Sequence, residues 1–360
     1  MRTQPQDVIA KLEADNSRLA KEKILLDAMN EGLDEFFEGL KMCLDKLYTF
    51  GVKQVPTKDE VVAGQGCPWN VFKDLAEKLY NRELTGHNAR DAINLVMSSA
   101  TAEQWNGFYR RILIKDLRCG VSEKTVNSVA KKNKFGKYMV PVFTCQLAHD
   151  SANHEKKLVG KKMLEVKLDG VRTLAIVHPD GKVDMLSRNG KEFTNFGHIQ
   201  DEISAVVKQD PPPYPLVLDG EVMSENFQDL MKQVHRKGSA DAKDAVLHLF
   251  DFIPLEEFKK GKWDKTQTLR TAMLKAWYQK HETNLNAVRV LDHEIVDLDT
   301  PEGQTTYTEV NKRAVQGGYE GIMIKDLEAP YECKRSHAWL KLKPFIAVSY
   351  THLTLPTRST

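Results

Sequence analysis

The sequence predicts two domains of unlike class, an all-helical N-terminal part followed by a mixed α+β part. Two observations carry this. In the first third of the chain apolar residues recur three and four apart, the period of a helix with one buried face. Beyond residue 140 they gather in short β-rich runs separated by turn residues. A chain of 360 residues has room for about two to three domains.

In the helical part, Ile9, Leu12, Leu19, Leu26, Met29, Leu33 and Phe36 set the period, and Val71, Leu75, Leu79 and Ala92, Leu95, Val96 repeat it. Pro56-Thr57 ahead of KDEVV predicts a helix start, Gly64 to Pro68 a break, and Thr85-Gly86 another boundary. Thr101 with Gln104 three residues later has the spacing of a capping box. The polar stretch Lys131 to Lys137 ends this texture. From Pro141 on, MLEVKL, TLAIVH, VDMLSR, YPLVLDGEVM, AVLHLFDFI and GIMIKD read as strands, with turns at Pro179-Asp180-Gly181 and Arg188-Asn189-Gly190. Gln267–Thr283 and Tyr307–Gln316 read as helices, and Pro211-Pro212-Pro213 as loop. The expected domains are therefore 1–135 and 140–346. The closing VSYTHLTLPTRST breaks the pattern and resembles translated sequencing-adapter sequence, so 347–360 is expected to stand outside the native fold.

Composition narrows the function classes. Hydrophobic residues at 41% fill real cores, and 28% charged residues with mean hydropathy −0.46 exclude a disordered or membrane-embedded chain. Lys+Arg 52 against Asp+Glu 50 leaves +2, so a polyanionic partner would be held by local patches. Cys43, Cys67, Cys119, Cys145 and Cys333 include no C-x-x-C pair, which argues against a zinc ribbon, a redox dithiol or a disulfide framework. With no apolar signal segment at the N-terminus, the expectation is a reducing, cytoplasmic setting and no membrane partner.

The chemistry centres on Glu165-Val166-Lys167-Leu168-Asp169-Gly170-Val171-Arg172. On a strand, Glu165, Lys167 and Asp169 share a face, and Asp-Gly would turn the chain so that Arg172 returns to the same pocket. A surface hairpin with an ion pair is the plainer alternative. A neutral lysine amine can instead attack an α-phosphorus and become nucleotidylated when nearby cations or burial lower its pKa. The departing pyrophosphate then needs further Lys, Arg or Mg²⁺. Suitable groups follow in order: Arg188 in SRNG, Glu221 in LDGEV, Phe250 in LFDFIPL, Glu320 and Lys325 in EGIMIKD, and Lys341 and Lys343 in WLKLKP.

This ordered series resembles the motifs of the ATP-dependent DNA ligases of the small phage and bacterial type, within the covalent lysine nucleotidyltransferases. Arg82-Glu83-Leu84-Thr85-Gly86 and Leu117-Arg118-Cys119-Gly120-Val121-Ser122 are similar to the family's minor-groove-binding helical domain. The resemblance implies a helical DNA-binding domain joined to an adenylation domain of antiparallel sheets flanked by helices, acting on ATP with Mg²⁺ to seal nicked duplex DNA as a monomer in a bacterial or phage-infected cell. It makes Lys167 the adenylated residue and Glu165 the reader of the adenine amino group, with Val166 and Leu168 giving backbone contacts. Arg172 and Arg188 would hold phosphate or ribose, Glu221 ribose and metal, Phe250 the adenine face, and Glu320 the metal beside Lys325. Lys341 and Lys343 would bind the α-phosphate. The family's C-terminal OB-fold domain has no counterpart here, so the expectation is a fragment of a longer protein. An RNA ligase, an mRNA capping guanylyltransferase and a non-catalytic DNA-binding remnant are the alternatives, the first two disfavoured by the helical segment.

Overall fold

The structure is a computed structural model and describes residues 2–225 and 242–344; the expected adapter-like tail, 347–360, lies outside the described residues. The chain divides into two compact units, Met1–Phe143 with Asn189–Lys191, and Thr144–Arg188 with the residues from Glu192 on. Among the described residues no helix is long and apolar enough to cross a membrane.

Before Leu147 the described residues form helices and no strand. These are α1 (Pro5–Ala14), α2 (Arg18–Asn30), α3 (Asp34–Leu44), α4 (Trp69–Tyr80) and α5 (Gly86–Ser99), then α6 (Ala102–Gln104), which passes through a π-helical turn (Trp105–Tyr109) into α7 (Arg110–Leu113), and α8 (Glu123–Lys132). Phe36, Phe72, Trp105 and Phe108 lie at the centre of their shared core. The Thr101 capping box forms, its Oγ1 accepting from the Gln104 N–H at 3.1 Å while the Gln104 side chain accepts from the Thr101 N–H at 3.2 Å.

Two expectations fail here. No helix starts at KDEVV. The Lys58 ammonium is instead buried and donates to the carbonyls of Met97, Ser98 and Ala100 at 3.0, 3.0 and 2.5 Å. It thereby satisfies the orphan carbonyls and negative dipole end of α5. Leu19 and Leu95, counted as core by spacing, are 77% and 72% exposed, because α2 and α5 bury the faces carrying Leu25 and Met29, and Ile93 and Val96.

The second unit holds β1 (Leu147–Asp150), β2 (Lys161–Lys167), β3 (Val171–Val177), β4 (Val183–Ser187), β5 (Leu216–Met223), β6 (Val246–Pro254), β7 (Lys262–Trp263), β8 (Val288–Val290), β9 (Glu294–Asp297), β10 (Gly321–Asp326), β11 (Tyr331–Glu332) and β12 (Arg335–Leu342). Two five-stranded sheets run β1-β12-β10-β2-β9 and β4-β3-β5-β6-β8, with β7 and β11 as a separate pair. The expectation of antiparallel sheets holds for the inner pairs, but β1 with β12 and β6 with β8 are parallel. A parallel neighbour requires a long crossover. Helix Gln267–His281 supplies one between β6 and β8.

Each sheet has one face sealed by helices. Ile199, Ile203 and Val206 of helix Gly197–Gln209 and Leu274 of Gln267–His281 pack with Ala175, Leu218 and Leu249. Val310 and Ala314 of helix Pro301–Gln316 pack with Leu164, Ile322 and Leu340. The latter helix starts six residues before the expected Tyr307, because Thr300 accepts from the Gly303 N–H at 3.0 Å and Pro301 sits in the first turn.

Candidate active site

Strand alternation builds the site from the sheet that carries β2. Leu164, Ile322, Ile324 and Leu340 point to the helix-covered core, and the period of two turns Glu165, Lys167, Met323, Lys325, Trp339 and Lys341 to the opposite face. Register then sets the rows. Met323 lies between Glu165 on β2 and Lys341 on β12, Lys325 lies beside Trp339, and Gly321 lies beside Lys167. Gly321 has φ 137°, and a Cβ there would stand 2.0 Å from the Leu342 carbonyl, so only glycine lets this end of β10 pass so close to β12.

At the end of this row Glu320 joins two cations. One of its carboxylate oxygens accepts from Lys167 Nζ and the other from Lys343 Nζ. Burial works against its ionised form, yet these two hydrogen bonds outweigh burial and hold its pKa below the ordinary carboxyl value. Deeper in, Lys325 Nζ lies 2.8 Å from Glu165 Oε2. Burial pushes the Glu165 carboxyl up and the Lys325 ammonium opposes that rise.

The other sheet supplies the facing wall. Arg172 Nε and Nη2 donate to both oxygens of the fully buried Asp219 at 2.6 and 2.7 Å, and Nη2 also donates to the Gln146 carbonyl at 3.0 Å. Burial disfavours the guanidinium charge, but Asp219 more than compensates and raises its pKa. Tyr331 Oη donates to the same carboxylate at 2.7 Å. Glu221 accepts from the Gly170 N–H at 3.2 Å, and burial pushes its carboxyl up to about 7 against the pull of Arg172. The β5·β6 register slips between Asp219 and Gly220, whose partners are Asp251 and Leu249. Phe250 is thus the extra residue of a β-bulge, the kind of irregularity that re-aims a side chain.

These walls enclose a cleft with a volume of about 230 Å³. Glu165, Val166, Lys167, Leu168, Arg172, Arg188, Glu221, Phe250, Lys325 and Lys341 all line it. Glu320 and Lys343 are not part of the lining and join it through Lys167. Val166 packs its side chain into the opposite core, which leaves its main chain to face the cleft.

Residues 145–343 match the family described as ATP dependent DNA ligase domain. The chain belongs to the ATP-dependent DNA ligase family. The solved structure named Pmar-Lig_PreS3 is 61% identical, covering 96% of this chain and 79% of its own, with a TM-score of 0.60. A probable DNA ligase of Rhodococcus opacus (strain B4) is 30% identical over 210 residues, 55% of this chain and 37% of that protein. The DNA ligase of Enterobacteria phage T4 is 22% identical over 330 residues, 78% of this chain and 64% of that protein. The chain spans about a third of the length of the first curated relatives, 37%, 35% and 32%.

In this ligase-family chain three features escaped the sequence. Asp169 does not share the face of Lys167, because β2 ends at Lys167 and Asp169 is exposed. Asp169-Gly170 closes no hairpin either, since β2 and β3 belong to different sheets. Gly170 is needed there for close approach: a Cβ would meet the Val222 carbonyl at 2.3 Å. Asp219, Tyr331, Met323, Trp339 and Arg335 also shape the cleft. Met323 and Trp339 were legible from period-two spacing alone, whereas the Asp219–Tyr331 contact joins residues 112 apart.

Proposed function

We propose that this chain carries the nucleotidyl-transfer core of an ATP-dependent DNA ligase that seals 3′-hydroxyl/5′-phosphate nicks through a lysyl-AMP intermediate. The observation that carries the proposal is Lys167 in the lining of the cleft, hydrogen-bonded through Glu320 to Lys343. In the first step Nζ of Lys167 attacks the α-phosphorus of ATP. A P–N bond forms between the neutral amine and the phosphorus, the P–O bond to pyrophosphate breaks, and Nζ releases one proton to water. Glu320 aligns the amine, while Lys341 and Lys343 offset the negative charge gathering on the α-phosphoryl oxygens. AMP then passes to the 5′-phosphate of the nick, and the 3′-hydroxyl displaces it.

Phe250 would cover the adenine face, and Glu165, whose Oε2 holds Lys325, would accept from the adenine amino group. Val166 and Leu168 would add main-chain contacts. Arg172, braced by Asp219, and Arg188 would face ribose and phosphate. The carboxylates of Glu221 and Glu320 suit Mg²⁺, which takes oxygen ligands and completes its shell with water and substrate phosphate. When bound, Mg²⁺ would supply positive charge against the leaving pyrophosphate. The helical unit would contact duplex DNA, and the protein would work as a monomer in a reducing, cytoplasmic setting.

The test is transfer of label from α-labelled ATP. Lys167→Ala is expected to abolish it and Lys162→Ala to leave it; persisting adenylation in Lys167→Ala overturns the proposal. Competition with GTP and NAD separates the ligase reading from a guanylyltransferase, because a carboxylate facing the guanine O6 is repelled.

A further inference from the structure

The strongest feature outside the cleft is a triad of histidines drawn from three separate places. His149 lies on β1, His154 between the short 3₁₀ turns Ser151–Asn153 and Glu155–Lys157, and His337 on β12. Their ring centroids are 4.5 to 4.6 Å apart, and His337 Nε2 lies 3.1 Å from His154 Nδ1. One ring nitrogen from each residue lies within 4.8 Å of the other two.

Irregular backbone makes this meeting. Between β1 and β12 the partners jump from Ala148–Ser336 to His149–Leu340, so His337, Ala338 and Trp339 are extra residues on β12. The bulge leaves Trp339 buried and His337 exposed. On the other side Asp150 accepts from the Ala152 N–H at 3.0 Å and the His154 N–H donates to the Ser151 carbonyl at 3.0 Å. That turn brings His154 back over its own strand.

We propose that His149, His154 and His337 form a Zn²⁺ site in which water takes the fourth position. Three nitrogens bound at 2.0 to 2.1 Å in a tetrahedral shell stand about 3.3 Å from each other. The His154–His337 pair already has that spacing, and His149 needs only a small side-chain adjustment. The donor set is all imidazole, which favours Zn²⁺ over the oxygen-seeking Mg²⁺ and Ca²⁺. The site is therefore chemically distinct from the carboxylates of the cleft. Its position gives it a purpose, since Leu147 and Ala148 of β1 and Trp339 and Lys341 of β12 line the cleft. A metal joining His149 to His337 would pin the edge strand β1 to its neighbour β12 where their regular pairing slips. Binding at this site does not depend on the function assigned to the cleft.

The experiment uses untagged full-length chain stripped with a chelator. Zn²⁺ is titrated against a chromophoric competitor, bound metal is counted by elemental analysis, and Co²⁺ is used as an absorbing substitute for Zn²⁺. The expected result is one Zn²⁺ per chain, a tetrahedral Co²⁺ spectrum, and a melting temperature that rises with Zn²⁺ but not with Mg²⁺. His337→Ala and, separately, His154→Gln should each weaken Zn²⁺ by at least about 10- to 100-fold, the loss that follows from removing even an outer partner of a metal ligand. His87→Ala, in the helical unit, should bind as the parent does. If His337→Ala melts early without metal, His154→Gln provides the readout. Substoichiometric Zn²⁺ in the parent, or a Zn²⁺ affinity in both triad variants equal to the parent's, overturns the proposal.

Discussion

Lys325 and Glu165 form an ion pair at 2.8 Å with only 1% and 3% of their side chains exposed. Lys325 Nζ also stands 4.8 Å from the ring centre of Phe250 and 4.5 Å from that of Trp339. Two opposite charges sealed under aromatic rings at the floor of the cleft hold each other in place, and neither can be removed without leaving the other uncompensated.

Lys325→Met is therefore expected to destabilise the second unit by about 3 to 5 kcal/mol, the usual cost of orphaning a buried charge. Lys325→Met combined with Glu165→Leu should recover part of that loss while still impairing adenylation. Denaturant melts of the single and double variants measure the coupling. Additive losses would show that the pair is not coupled.

Glu221 gives a pH dependence of known sign. Burial raises its folded-state pKa to about 7, so the folded chain binds this proton more tightly than the unfolded chain does. Its contribution to stability is complete below the ordinary carboxyl pKa and is lost as pH climbs toward about 7. Glu221→Gln should flatten that part of the stability-against-pH curve. For ligand binding the sign reverses: if ionised Glu221 holds ribose or Mg²⁺, nucleotide binding by the parent strengthens through pH 7 and binding by Glu221→Gln does not. Thermal melts and nucleotide titrations across pH 5 to 8.5 check both arms.

Phe250→Ala should weaken ATP binding by about 1 to 3 kcal/mol, the scale of one base stacked on an aromatic ring. The β-bulge that aims Phe250 lies in the backbone and survives the substitution, so Phe250→Trp should restore most of the affinity. Equal ATP affinity in Phe250→Ala and parent would remove Phe250 from the nucleotide site.

In the helical unit Lys124, Lys131 and Lys132 lie on α8, and Lys134 follows it, all exposed. Lys137 of the same basic stretch is paired with Asp34 at 3.2 Å, so α8 and Lys134 are the better candidates for phosphate contacts. Lys131→Ala with Lys132→Ala should lower the salt dependence of nicked-duplex binding by about two units of slope. An unchanged slope would assign the stretch to solvent.

Much of this protein was settled by local sequence. Strand period fixed which faces of β2, β10 and β12 carry charge, because side-chain direction on a strand alternates whatever lies above it. The capping pair Thr101 and Gln104 fixed a helix start with contacts three residues apart. The motif order points to Lys167, Glu221, Phe250, Lys325 and Lys341 as neighbours, and all five line one cleft. Tertiary structure decided what depends on residues far apart in the chain. Lys58 reads as an exposed helix start until the end of α5 reaches its ammonium. Arg172 reads as a free phosphate ligand until Asp219, 47 residues on, takes its Nε and Nη2. His149, His154 and His337 look like unrelated surface residues until a register slip between the edge strand β1 and its neighbour β12 brings them together. In each case the partner is chosen by sheet order and packing, and neither is written in the residues next to the group.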